Sequence, residues 1–123
     1  MAAAAQIDPA RDPLDAAIKV LGELESICDG DATSLARSLG KVRSKVQRLD
    51  GYAKTLQTFL PKHRLAIRSQ MHNLKDTVAG FIQYESTPGN RRDVEHYMDR
   101  TKAAERLRNS VDQTANLFRS ITY

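Results

Sequence analysis

Leu35-Ala-Arg-Ser-Leu39-Gly-Lys-Val42-Arg-Ser-Lys-Val46-Gln-Arg-Leu49-Asp-Gly-Tyr-Ala53-Lys-Thr-Leu56-Gln-Thr-Phe-Leu60 is the stretch that decides the fold class. Its numbered apolar residues follow one another at alternating steps of four and three. That spacing keeps them on one side of a helix with about 3.6 residues per turn, the pattern of a coiled-coil or bundle seam. A strand would alternate with period two. Gly40 and Gly51 each cost about 1 kcal/mol relative to Ala inside a helix, and Asp50-Gly51 has turn composition. The apolar phase passes through both unchanged. The spacing therefore predicts one helix over 33–60, beginning at Thr33 or Ser34.

Before it, Leu14, Ala17, Ile18, Leu21, Leu24 and Cys28 recur at helical steps, and Asp29-Gly30-Asp31 closes the run. This gives a helix over 13–29, with Asp12 as cap and Pro13 in the first turn. Residues 1–12, four alanines followed by two Asp-Pro pairs, read as a flexible leader. After Pro61 the apolar positions become Ile67, Met71, Leu74, Val78 and Phe81, out of phase with the earlier series. A phase slip at a proline marks a kink or a new helix, here over 61–84. Glu85-Ser-Thr-Pro-Gly-Asn90 is turn material. A last helix over 92–121 turns Val94, Tyr97, Ala104, Leu107, Val111, Thr114, Phe118 and Ile121 inward. The expectation is a single all-α domain over 13–123, either a four-helix bundle or a pair of long antiparallel hairpins. Stripes on helices of unequal length further suggest a homodimer.

Composition excludes several classes. The 123 residues are 41% apolar and 28% charged, enough to bury a core. The absence of Trp, with only six Gly and four Pro, disfavours sandwiches, barrels and doubly wound sheets. A lone cysteine, Cys28, rules out an internal disulfide and a cysteine-based zinc cluster, and it suits a small buried filler. No run approaches the ~20 apolar residues of a membrane span, and the amino terminus lacks a signal-peptide pattern, so a cytoplasmic location is expected.

The net charge of +4 is unevenly spread. Residues 1–36 sum to −5, residues 37–75 to +9 and residues 76–123 to zero. Within the basic middle, Arg37, Lys41, Lys45 and Arg48 form a stripe at helical spacing that would suit nucleic acid or an anionic membrane surface. The alternative is that the acidic first helix lies beside the basic second one. No aromatic interleaving or nucleic-acid motif accompanies the charge.

No glycine-rich phosphate loop is present. No Ser-His-acid trio stands out, and no cofactor is indicated. His63, His72 and His96 lack the spacing of metal ligands. One segment carries more chemistry: Met71-His72-Asn73-Leu74-Lys75-Asp76-Thr77-Val78-Ala79-Gly80-Phe81-Ile82-Gln83-Tyr84. His72 lies about 100° around the helix from Met71, at or beyond the shoulder of the apolar stripe. Lys75 and Asp76 stand one turn on and Arg68 one turn back. An outward imidazole between cations, with a carboxylate to hold the far ring nitrogen's proton, suits uptake of a phosphoryl group.

This segment resembles the phosphoacceptor box of the dimerisation and histidine-phosphotransfer domain of sensor histidine kinases. His72, Leu74, Lys75, Val78, Phe81 and Tyr84 stand where that box wants them. Tyr97 to Phe118, with its Ala-Ala-Glu-Arg-Leu run, is similar to the family's second helix, so the resemblance covers residues 62–122. It departs at Asn73, where the family has an acid, and at Asp76-Thr77, where the kinases have Thr or Asn followed by Pro. The resemblance implies a helical hairpin that dimerises. It also implies that His72 exchanges phosphate with a receiver domain, Lys75, Asp76 and Arg68 assisting, while the chain holds no ATP-binding domain of its own. Two alternatives stand beside it. One is a non-catalytic scaffold whose Leu35–Leu60 seam binds partner helices; the other is the anion-binding stripe.

Overall fold

The structure is a computed structural model that describes residues 9–86 and 94–121, and side chains of the last segment from residue 99 on. It is all-helical, with no strand among the described residues. The helices are α1 (Arg11–Cys28), α2 (Ala32–Arg37), α3 (Leu39–Phe59), α4 (Arg64–Ser86) and α5 (Val94–Ser120). A single 3-10 turn, Pro61–His63, joins α3 to α4. Residues 1–8 of the expected leader, 87–93 and 122–123 lie outside the described residues, as do the side chains of Val94 and Tyr97. Of the turn expected over 85–90, Glu85 and Ser86 instead extend α4 and the rest falls outside the described residues.

α1 begins earlier than its prolines suggest. Ala10 stands at the cap with helical dihedrals, and Asp12-Pro13 falls inside the first turn, so Asp12 does not cap. The first four helical N–H groups have no intrahelical acceptor, so Pro13 removes a donor that had no bond to lose. The helix expected over 33–60 is divided at Ser38, whose φ of −99° and ψ of 7° leave the helical region. Asp31 caps α2 by accepting from the Ser34 N–H at 2.7 Å, and that bond holds its carboxyl below the usual carboxylate range. The break does not disturb the apolar series: Leu35, Leu39, Val42, Val46, Leu49, Ala53 and Leu56 are all buried. Pro61 separates α3 from α4, and the shifted stripe of Ile67, Met71, Leu74, Val78 and Phe81 is likewise buried.

α1 packs against α3 and α5, and α4 packs against the same two helices, with the short α2 lying mainly on α5. The apolar stripes of α1, α3, α4 and α5 thus close on one another within one chain. The Leu35–Leu56 seam is interior and offers no surface to a partner helix while the chain is folded.

Between α4 and α5 the core carries a polar layer. Ser110 and Thr114 are buried. Gln70 Nε2 donates to Thr114 Oγ1 at 3.0 Å, Thr114 Oγ1 donates to the Ser110 carbonyl at 2.7 Å, and Ser110 Oγ donates to Asn73 Oδ1 at 2.8 Å. No described buried side-chain polar atom lacks a partner, which is why the layer can sit in a core. Farther along, Arg100 grips Glu85 with both arms of its guanidinium, at 3.0 and 2.8 Å. At the far side of the core, Arg108 on α5 donates through Nε to the Cys28 carbonyl at 2.7 Å and through a terminal nitrogen to the Gly30 carbonyl, clasping the end of α1.

Candidate functional site

Because Met71 and Leu74 face the core, His72 is turned out of it: its side chain is 77% exposed. Its Nε2 lies 3.3 Å from Oδ2 of Asp76, one turn on and almost equally exposed. His72, Arg68 and Lys75 line one open groove between α3 and α4, about 610 Å³ in volume, together with Lys54, Asp50 and Leu65. Asp76 lies on the other side of His72 and belongs to a second groove, shared with Lys102 and Arg106 of α5.

Asp50 organises the cations of the first groove. Its Oδ1 is 3.3 Å from Lys75 Nζ and its Oδ2 is 3.5 Å from Lys54 Nζ, while its own side chain is only 17% exposed. Both ammonium groups are thereby held against the groove wall. Lys75 and Lys54 are substantially exposed, so each pair is worth well under about 1 kcal/mol of stability, and its importance is positional. Nothing in local spacing links Asp50 to His72. Its one distinguishing mark in sequence is being the sole acid of residues 37–75. Arg68 is exposed, with no ion-pair partner among the described residues.

Asn73 has a structural task. It accepts from Ser110 across the α4–α5 contact, so the position next to the histidine is engaged in packing the two helices. His63 is half-buried in the 3-10 turn, and the side chain of His96 lies outside the described residues. No group of three or more His, Cys, Asp or Glu is clustered for a metal ion among the described residues.

The four residues of the basic stripe are divided between two helices. Arg37 ends α2, ahead of the Ser38 turn, whereas Lys41, Lys45 and Arg48 are on α3. Those three line a groove against α1 that also contains Glu23, and Lys45 Nζ is 3.2 Å from Glu23 Oε1. α1 and α3 are neighbours, as the opposite charges of their sequences suggested.

Cys28 is buried, and desolvation pushes its thiol up from 9.0 to about 11 against the opposing pull of Arg108. The neutral thiol is kept in the fold. Stability associated with it is full below pH 9 and is lost as pH rises towards 11, because the unfolded chain ionises first. Thiolate is the reactive form. The native protein should therefore resist alkylation at pH 8, with reaction at Cys28 appearing in parallel with unfolding in urea. Rapid labelling of the native state would contradict this account of its surroundings.

No helix among the described residues is long and apolar enough to cross a membrane. Comparison with known protein families, with curated proteins and with solved structures finds no match to this chain.

Proposed function

We propose that this chain is a helical phosphoacceptor module, a bundle of four long helices that takes up or relays a phosphoryl group on His72. The observation that carries this reading is the exposed imidazole, its Nε2 3.3 Å from Asp76 Oδ2, beside a groove bearing Arg68 and Lys75. In the neutral ring, a carboxylate on Nε2 favours the Nε2–H tautomer and leaves the lone pair on Nδ1. Nδ1 would attack the phosphorus of an aspartyl phosphate, the P–O bond to the aspartate would break, and the freed carboxylate would leave with its electron pair. Arg68 and Lys75 would stabilise the oxygens of the transferred group, and catalysis would come from positioning and charge. The partner implied is a receiver domain. Among the described residues no apolar stripe needs a second copy of the chain to cover it, so a homodimer would pair through the surface grooves.

Incubation with a phosphorylated receiver domain tests this directly. Wild type should acquire acid-labile, base-stable phosphate, and His72→Gln should acquire none while keeping the wild-type circular dichroism spectrum. Absence of label on the wild type, or equal label on His72→Gln, overturns the proposal.

A further inference from the structure

The end of the α3–α4 pair carries exposed apolar side chains for which phosphate exchange has no use. Among the described residues, the large hydrophobic side chains left exposed are Phe59, at 46%, and Leu65, at 76%. Single exposed apolar residues are ordinary on protein surfaces. These two are the last residue of α3 and the second residue of α4, on either side of the short corner formed by Leu60 and the 3-10 turn. Around them the sequence is purely basic. Residues 51–75 contain five Lys or Arg and not one Asp or Glu. Three of those bases, Lys62, Arg64 and Arg68, are exposed and have no ion-pair partner among the described residues.

We propose that this corner docks on an anionic lipid bilayer, with Phe59 and Leu65 entering the headgroup–acyl boundary and Lys62, Arg64 and Arg68 lying against lipid phosphates. The charge fixes the sign of the partner. The two apolar side chains distinguish a bilayer from a soluble polyanion, because phosphates and sugars give Leu65 no apolar region to enter. Long basic side chains suit the boundary, since their stems lie along apolar surface while the charged heads stay at the phosphates. Each base near an anionic surface contributes about a five-fold factor in partitioning, and burial of an apolar side chain roughly ten-fold. Docking shares Arg68 with the proposed phosphoryl site, but substitutions at Phe59, Leu65, Lys62 and Arg64 leave Arg68 and His72 in place, so either property can fail without the other.

Co-sedimentation of the full chain with vesicles provides the test. Wild type should bind vesicles of phosphatidylcholine mixed with phosphatidylserine, should bind phosphatidylcholine alone far more weakly, and should release as salt rises. Phe59→Ser/Leu65→Ser should weaken binding at least ten-fold, and Lys62→Gln/Arg64→Gln by roughly twenty-fold. All these positions are exposed, so melting temperatures should match wild type. The chain contains no Trp, so Phe59→Trp supplies a single reporter whose emission should shift to the blue on phosphatidylserine vesicles. Three results overturn the proposal: no binding of folded wild type to those vesicles, wild-type affinity in the double serine variant, or an equal dependence on Phe59 and Leu65 for binding to heparin.

Discussion

Val42→Asp should leave the chain largely unfolded in dilute buffer, while Val42→Ala should remain folded and lose about 1–3 kcal/mol. Val42 is fully buried within the contact of α3 with its neighbours. An aspartate there gives up the burial of the valine and forces either an ionised carboxylate or a protonated acid into apolar surroundings, at a cost of several kcal/mol. A native chain of this size is stable by only about 5–15 kcal/mol, so that single change removes much or all of the margin. Urea titration followed by circular dichroism would measure it. The result also separates two uses of the same stripe. If the seam served a partner helix, the aspartate variant would keep its helical signal and lose only association; if it is the chain's own interior, helix content and compactness disappear together. Retention of a cooperative unfolding transition close to that of wild type would contradict the interior position of Val42.

The local period of the chain reveals what faces inward, because burial in a helix repeats every three or four residues and needs no knowledge of the partner surface. Thus the stripes from Leu35 to Leu56 and from Ile67 to Phe81 could be read directly, and so could the outward position of His72 beside Met71. The break at Ser38 could not. The step from Leu35 to Leu39 is four residues, so a turn inserted there leaves the apolar phase intact. Pro13 misled for the opposite reason: a strong local signal for a helix start was satisfied inside the first turn. Within the candidate site, the approach of His72 to Asp76 is an i, i+4 relation and is legible in the sequence. Asp50 reaches Lys75 from another helix, and Gln70 meets Thr114 across 44 residues. Such contacts depend on how helices are set against each other, which no single-helix pattern records. Gln70 illustrates the gap well: it stands off the apolar series of α4, yet its amide is half-buried with two acceptors on α5.

Arg108 is the strongest case of such a long-range device, and its removal should be the costliest change outside the apolar core. The last turn of α1 contains no basic residue, and neither Asp29 nor Gly30 takes the left-handed conformation that commonly closes a helix. The terminal carbonyls of α1 therefore need donors from elsewhere, and the Arg108 guanidinium supplies one to Cys28 and one to Gly30. Hydrogen bonds from a charged donor contribute about 1.5–3 kcal/mol, and the positive charge also meets the negative end of the helix. Arg108→Met, which keeps most of the apolar stem, should thus lose about 2–4 kcal/mol and lower the melting temperature by roughly 5–15 °C. Arg108→Lys should recover less than half, because one ammonium cannot span both carbonyls as the planar fork does. A local readout distinguishes loss of this clasp from general weakening. The Cys28 thiol lies at the clasped end, so fraying there should make it accessible to a thiol reagent under conditions in which the remainder of the chain stays folded. Protection of Cys28 in Arg108→Met equal to that in wild type, or a melting temperature within a degree of it, would show that the end of α1 is held by its apolar contacts alone.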